Sequence, residues 1–93
     1  MEKLDFELEL AIVIGKRGKN ILSKDADNYI AGFCILNDLS ARRLQMEEMK
    51  LNLGPSIGKD FGNILGPCLI TPDELESKCI NTSNGKKYDL NMK

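Results

Sequence analysis

Apolar and acidic residues alternate strictly near the start of the chain. The apolar positions are Leu4, Phe6, Leu8 and Leu10, and the acidic positions between them are Asp5, Glu7 and Glu9. A period of two predicts a β-strand that buries its apolar face and exposes its polar face. Glu7 and Glu9 share the polar face of this strand and lie about 6.5 Å apart along it.

This polar face is a candidate site for a divalent cation. Two glutamates at this spacing can converge on one ion with Mg–O distances of about 2.1 Å. Asp38 is the best third ligand, because it follows the apolar segment 29–36 and precedes a predicted turn into a helix. Oxygen ligands without His or Cys favour Mg²⁺, Mn²⁺ or Ca²⁺ over zinc. The alternative is that Glu7 and Glu9 form only the solvated face of a half-buried strand.

Composition and charge exclude several classes of partner. A chain of 93 residues, 42% of them hydrophobic, forms one domain at most or part of a larger unit. Thirteen basic and fourteen acidic residues without a long basic run argue against binding to nucleic acid or to an anionic membrane. No apolar stretch reaches the roughly 18 residues of a membrane span, and the N-terminus does not resemble a signal peptide. A cytoplasmic location is therefore expected.

The cysteine and histidine content restricts the chemistry. Cys34, Cys68 and Cys79 are widely spaced and odd in number, which argues against a disulfide framework and against structural zinc. The chain contains no His, so these residues cannot supply an imidazole base or a Ser-His triad. Any chemistry here must use carboxylates, lysine, a metal ion or water.

The remaining pattern predicts an α+β chain that is mostly β with short helices. The turn-rich segment 54–67 is too apolar for a free linker, and such packed loops are often functional.

Glu47 and Glu48 are expected on the solvated face of a helix, and Asn37 and Ser40 are expected to hydrogen-bond the turn at Asp38. The predicted elements are a helix capped by Ser23 and extending through Asn28, a strand over 29–36, a helix over 40–49, a strand over 68–71, a helical turn over 71–75 and a hairpin around Asn84–Gly85.

Taken together, the motifs resemble the catalytic domain of the fumarylacetoacetate hydrolase superfamily. Four blocks occur in the family's order and cover most of the chain. They are Phe6–Gly15 with its Glu-Leu-Glu, Tyr29–Phe33 continuing into Asn37–Arg42 and Gln45, Leu53–Pro55 with Gly58–Phe61, and Leu65–Leu75.

The resemblance implies a fold, a cofactor and site residues. The fold would be the family's mixed β-sandwich or β-roll with short helices, incomplete in this chain, with residues 1–93 as the central part of the catalytic domain. Glu7, Glu9 and Asp38 stand at the positions of the family's Mg²⁺ or Mn²⁺ ligands. Gln45 and Lys59 stand where the family contacts substrate, as catalytic and substrate-binding residues. Arg42 is a further substrate-binding candidate, although an arginine there is also commonly an exposed residue or an ion-pair partner.

The implied function is metal-dependent hydrolysis of a carbon–carbon bond beside a carbonyl in an acylpyruvate-type 2-oxo acid, by a homodimer. Decarboxylases, hydratases and isomerases of 2-oxo acids use the same scaffold. Two departures keep alternatives open, because Arg43 replaces the family's usual aspartate, and the family's catalytic His and Glu and its Gly-Thr loop have no counterpart here. The chain could instead be a non-catalytic fragment that binds metal or a complementary segment, or a small structural domain with relic motifs.

Overall fold

The computed structural model describes residues 3–93, so Met1 and Glu2 of the predicted domain 1–93 lie outside the described residues. Short strands dominate and short helices separate them, which confirms the predicted mostly β, α+β class. The strands are β1 (Leu4–Asp5), β2 (Leu8–Ile14), β3 (Ile30–Asp38), β4 (Ser40–Ala41), β5 (Asn63–Leu65), β6 (Cys79–Thr82) and β7 (Gly85–Tyr88). The helices are α1 (Arg42–Glu48) and three 3₁₀ helices over Ser23–Tyr29, Met49–Leu51 and Pro72–Lys78.

The strands form three small sheets within the described chain. Their orders are β1-β4, β2-β3-β5 and β6-β7. By its internal contacts the chain divides into two compact units, one containing the residues up to Leu10 with Ile35–Gly66 and the other containing Ala11–Cys34 with Pro67–Lys93. No helix among residues 3–93 is long and apolar enough to cross a membrane.

Backbone pairing in the first unit brings Glu7 and Asp38 opposite each other. The Glu7 N–H donates to the Asp38 carbonyl at 3.1 Å and the Asp38 N–H donates back to the Glu7 carbonyl at 3.0 Å. Two bonds exchanged by one residue pair are the mark of an antiparallel ladder. On the other side of Asp38, β3 pairs antiparallel with β5, where Asp38 faces Asn63. The end of β3 is therefore paired with Glu7 on one side and with β5 on the other.

Small buried residues form the short strand that follows Asp38. Ser40 and Ala41 are 0% and 1% exposed, and they pair as β4 with β1. The Ser40 hydroxyl donates to the Asp38 carbonyl at 3.2 Å, which confirms the predicted role of Ser40 in this turn. Asn37 is also expected to hydrogen-bond this turn, but its buried Oδ1 atom has no hydrogen-bond partner in the described part of the chain.

The second unit is organised around Phe33, which is 2% exposed. Its ring meets the ring of Tyr88 edge-on, with centroids 5.1 Å apart, and its backbone exchanges two 2.8 Å hydrogen bonds with Ile70. The β6-β7 hairpin is joined to the 3₁₀ helix over Ser23–Tyr29 by a bond from the Lys86 N–H to Asp27 Oδ2 at 2.8 Å. Aromatic packing, backbone pairing and one charged side chain are thus among the contacts within this unit.

Several of the predicted boundaries are wrong. The first strand is two strands, because the chain pairs first with β4 and only afterwards with β3. Ser23 makes no capping bond and is itself the first residue of its helix. In the predicted strand 68–71, only Ile70 forms a bridge. The hairpin pairs Thr82 with Gly85, so its two-residue loop is one position earlier than predicted.

The expected burial of the first strand is also reversed. Leu8 and Leu10 are 38% and 41% exposed, while Glu7 and Glu9 are half-buried. Glu7 is covered because two basic side chains of the same unit pair with it, as described below. Glu7 is therefore not a freely solvated side chain.

Candidate metal centre

Three carboxylates from two neighbouring strands converge in the first unit. Asp38 ends β3, Glu7 lies opposite it immediately before β2, and Glu9 lies in β2 two residues after Glu7. One ligand oxygen of each residue lies within 4.8 Å of the other two, and all three residues are half-buried. The structure thus brings together the three residues that the sequence predicts as metal ligands.

The donor set fits a hard divalent cation. Two oxygens bound to one Mg²⁺ at about 2.1 Å are separated by about 3 Å when adjacent and about 4 Å when opposite. The observed oxygens lie within 4.8 Å of one another, so a bound ion would draw adjacent ligand oxygens together by at most about 2 Å. Because all three donors are carboxylates, the chemistry of the set suits Mg²⁺, Mn²⁺ or Ca²⁺.

Lys59 lies directly against this cluster. Its ammonium is 2.8 Å from Glu7 Oε2 and 2.8 Å from Asp38 Oδ2, and its side chain is only 16% exposed. The hydrogen bond from Lys59, together with one from Arg42, lowers the pKa of Glu7. Burial opposes the charged form of Lys59, but its bonds to Asp38 and Glu7 raise its pKa overall. Lys59 is therefore not the solvated surface lysine that the residue type alone would suggest.

Arg42 holds the opposite side of Glu7. Its Nη1 atom donates to Glu7 Oε1 at 2.6 Å and to Gln45 Oε1 at 2.9 Å, while its Nε atom donates to Asp5 Oδ2 at 2.9 Å. The bond to Glu7 and the bond to Asp5 raise the pKa of Arg42, and the bond from Arg42 lowers the pKa of Asp5. Here Arg42 is an ion-pair partner, one of the alternatives open from the sequence. The two oxygens of Glu7 are thus held by two different cations.

An open cleft of about 470 Å³ adjoins the carboxylates. Among the predicted site residues, Glu9, Asp38 and Lys59 line this cleft, whereas Glu7, Gln45 and Arg42 do not. The other lining residues are Leu36, Pro55, Ser56, Asp60 and Asn63. A small polar molecule in the cleft would therefore meet two of the three candidate ligands and the lysine.

Sequence reasoning missed two acidic residues that support the site. Asp5 is a partner of Arg42, and its place two residues before Glu7 on the same strand face was the available signal. Glu48 accepts three backbone hydrogen bonds from the loop that leads to Lys59. The prediction of a solvated face is wrong for Glu48, and it holds for Glu47, which is 64% exposed and pairs with Lys50.

Comparisons with known proteins agree with the motifs. A family model described as fumarylacetoacetate (FAA) hydrolase C-terminal matches residues 1–91. A mitochondrial oxaloacetate tautomerase of Rattus norvegicus is 43% identical over 76 residues, which are 80% of this chain and 23% of that protein. A fumarylacetoacetase of Arabidopsis thaliana is 45% identical over 78 residues, which are 81% of this chain and 18% of that protein.

The alignment with another relative covers more of both sequences. An uncharacterised protein of Pyrococcus abyssi is 39% identical over 94 aligned positions, which are 96% of this chain and 42% of that protein. The chain thus spans less than half of the length of each of these relatives.

Proposed function

Because the chain belongs to the fumarylacetoacetate hydrolase family, we propose that it carries the metal-binding part of an enzyme site for 2-oxo acids. The leading reaction is hydrolysis of a carbon–carbon bond beside a carbonyl in an acylpyruvate-type substrate. The observation that carries this proposal is the convergence of Glu7, Glu9 and Asp38, with ligand oxygens within 4.8 Å of one another, beside a half-buried lysine.

Each part of the site has a chemical task in this proposal. Glu7, Glu9 and Asp38 would hold Mg²⁺ or Mn²⁺, with Ca²⁺ as a further candidate. Such a cation, when bound, supplies Lewis-acid polarisation of a carbonyl oxygen. The Lys59 ammonium lines the cleft and would donate a hydrogen bond to the enolate or carboxylate oxygens of the substrate. The Gln45 amide oxygen is held by Arg42, which leaves the amide N–H groups of Gln45 as donors.

Tautomerisation of a 2-oxo acid is the second candidate reaction. It is favoured by a relative that is named an oxaloacetate tautomerase and is 43% identical to this chain. Both reactions develop negative charge on a carbonyl oxygen of the substrate, as an enolate or as an oxyanion, so the same donors and cation would serve either. They differ in outcome, because hydrolysis breaks a carbon–carbon bond and tautomerisation only moves a proton between carbon and oxygen.

Metal binding is tested by thermal melts with and without Mg²⁺ or Mn²⁺. A ligand at a hundredfold excess over its Kd stabilises the folded state by about 2.7 kcal/mol. For a domain of this size that corresponds to an increase in Tm of about 10 °C or more. Glu9→Gln should abolish the increase, and Glu47→Gln, which removes an exposed carboxylate outside the cluster, should retain it. An equal increase in both variants would contradict the proposed metal site.

The reaction is tested by turnover of an acylpyruvate and of oxaloacetate with Mg²⁺ present. Hydrolysis is detected as two acid products, and tautomerisation as a change in enol absorbance without any cleavage product. Asp38→Asn should remove whichever activity is found. Metal binding without turnover of either substrate would favour the alternative, a non-catalytic chain that binds metal or a complementary polypeptide. We also propose a cytoplasmic homodimer, which sedimentation of the chain and imaging in cells would test.

A further inference from the structure

The Glu48 carboxylate binds three consecutive backbone N–H groups. Oε2 accepts from Ser56 at 2.9 Å and from Gly58 at 3.1 Å, and Oε1 accepts from Ile57 at 2.7 Å. These bonds, with that from Ser56 contributing most, lower the pKa of Glu48. An ionised carboxylate that accepts several N–H groups makes stronger bonds than a neutral acceptor would. We refer to residues 56–58 as the anchored turn.

The place of Glu48 in its helix argues for a role outside the helix. Glu48 is the last residue of α1, where a negative charge is unfavourable because the carbonyl ends of the helix already carry negative partial charge. Glu47 is its neighbour in the same helix, yet it points to Lys50 and is largely exposed. The three bonds of Glu48 to the anchored turn compensate for its unfavourable position.

The anchored turn is also fixed from its other side. The Ala41 N–H donates to the Gly58 carbonyl at 2.9 Å, and Gly58 is buried. A Cβ atom on Gly58 would lie 2.8 Å from the Gln45 nitrogen, so the turn is packed directly onto the backbone of α1. Backbone bonds, a side-chain anchor and close packing thus hold the residue immediately before Lys59.

We propose that Glu48 is a positioning residue that acts through Lys59. Lysine is a flexible four-carbon stem, and its ammonium reaches a defined place only when its backbone is fixed. The anchored turn fixes that backbone, the Lys59 N–H closes the turn on the Ser56 carbonyl at 2.8 Å, and the ammonium then bridges Glu7 and Asp38. Ser56 and Lys59 both line the cleft, so Glu48 also shapes one of its walls. This inference deepens the proposed function and rests on it for the role of the lysine, although its first test requires no metal.

The first test is site-resolved labelling of lysine amines in the metal-free chain, followed by mass spectrometry. In Glu48→Gln an NH₂ group replaces one carboxylate oxygen, so in either amide orientation at least one N–H of the anchored turn faces another donor. The labelling rate of Lys59 should rise about fivefold, the population change expected for losing one modest hydrogen bond. Glu47→Gln is the matched control and should leave the Lys59 rate unchanged.

Each outcome of the labelling test either supports or overturns the positioning role of Glu48. An unchanged Lys59 rate in folded Glu48→Gln, or an equal rise in Glu47→Gln, would overturn the proposal. Faster labelling of all lysines would also overturn it, because Glu48 would then support the whole fold. If Glu48→Gln does not fold, Glu48→Asp replaces it, since Asp keeps the charge and is one methylene shorter. Failure of both variants to fold, while Glu47→Gln folds, counts against a positioning role.

The second test is a double-mutant cycle with Mn²⁺ binding, measured by electron paramagnetic resonance. If Glu48 acts through Lys59, Glu48→Gln should change the Mn²⁺ dissociation constant about fivefold in the unmodified chain and less than about twofold in Lys59→Met. Equal changes in both backgrounds would show a general structural effect and refute the proposal. Absence of Mn²⁺ binding by the unmodified chain would contradict the proposed metal function instead, and the labelling result would still decide the role of Glu48.

Discussion

Replacement of Gly58 by alanine is a direct perturbation of the contact between α1 and the anchored turn. The new Cβ atom would lie 2.8 Å from the Gln45 backbone nitrogen, 3.0 Å from its Cα and 3.2 Å from its Cβ. Two of these three atoms belong to the helix backbone and cannot rotate away. Gly58 is not among the glycines with positive φ, so the cost of Gly58→Ala is steric rather than conformational.

The magnitude follows from two opposing effects. Forcing an extra methyl group into a packed contact costs about 1–3 kcal/mol. Replacing glycine by alanine also stabilises by about 0.4–1 kcal/mol, because the unfolded chain loses conformational freedom. The net loss is about 1–2 kcal/mol, which lowers Tm by about 5–15 °C in a domain of this size.

Gly62→Ala is the matched control in the same loop. A Cβ there meets only Leu39 Cδ1 at 3.7 Å, which is an ordinary van der Waals contact. We therefore expect Gly62→Ala to keep or slightly raise Tm. Thermal and urea unfolding of both variants, followed by circular dichroism, measure the difference. Equal Tm values for Gly58→Ala and Gly62→Ala would refute the argument that the anchored turn packs on α1 without room for a side chain.

Three further predictions concern other parts of the chain. Phe33→Ala should destabilise by about 3–5 kcal/mol and change the NMR shifts of Tyr88, while Phe33→Leu should retain a cooperative melt. Gly85→Ala should lower Tm, because φ of 114° costs an L residue about 1–3 kcal/mol, and an unchanged Tm would refute that strain. In the folded chain the pKa of Glu7 lies below its ordinary value of 4.5. The ionised Glu7 therefore contributes its full stabilisation above pH 4.5, and this stabilisation is lost as the pH falls through the pKa of Glu7 in the folded chain. The urea concentration at the midpoint of unfolding should therefore fall as the pH is lowered from about 6 to about 3. The fall should be less steep in Arg42→Gln, because this variant keeps only Lys59 as a partner of Glu7.

The candidate ligands were predictable because their signal is local. The spacing of Glu7 and Glu9 places them on one face of a strand whatever the rest of the fold does. Asp38 follows an apolar segment, and a polar residue there predicts the end of a strand. The boundaries were less predictable, since pairing partners decide where a strand stops. The break between β1 and β2 exists because the chain changes partner from β4 to β3.

Burial and side-chain partners depend on residues that are distant in the chain. No pattern around Glu48 distinguishes it from Glu47, yet only Glu48 faces the N–H groups eight to ten residues later. The alternation near the start of the chain left a solvated acidic face as an alternative, whereas Arg42 and Lys59, 35 and 52 positions beyond Glu7, pair with Glu7. Such contacts form when loops close, and no local periodicity encodes them.

The sequence by itself determined the strand-rich class, the family and the carboxylate set, because periodicity and ordered motifs are properties of neighbouring residues. The tertiary structure alone decided that Glu7 is held by two cations and that Lys59 bridges Glu7 and Asp38. It alone also decided that a helix-terminal glutamate anchors the turn before that lysine. The physical reason is that charges interact across space. A carboxylate acquires its pKa and its orientation from whichever donors the fold brings within about 3 Å, however far away they are in the chain.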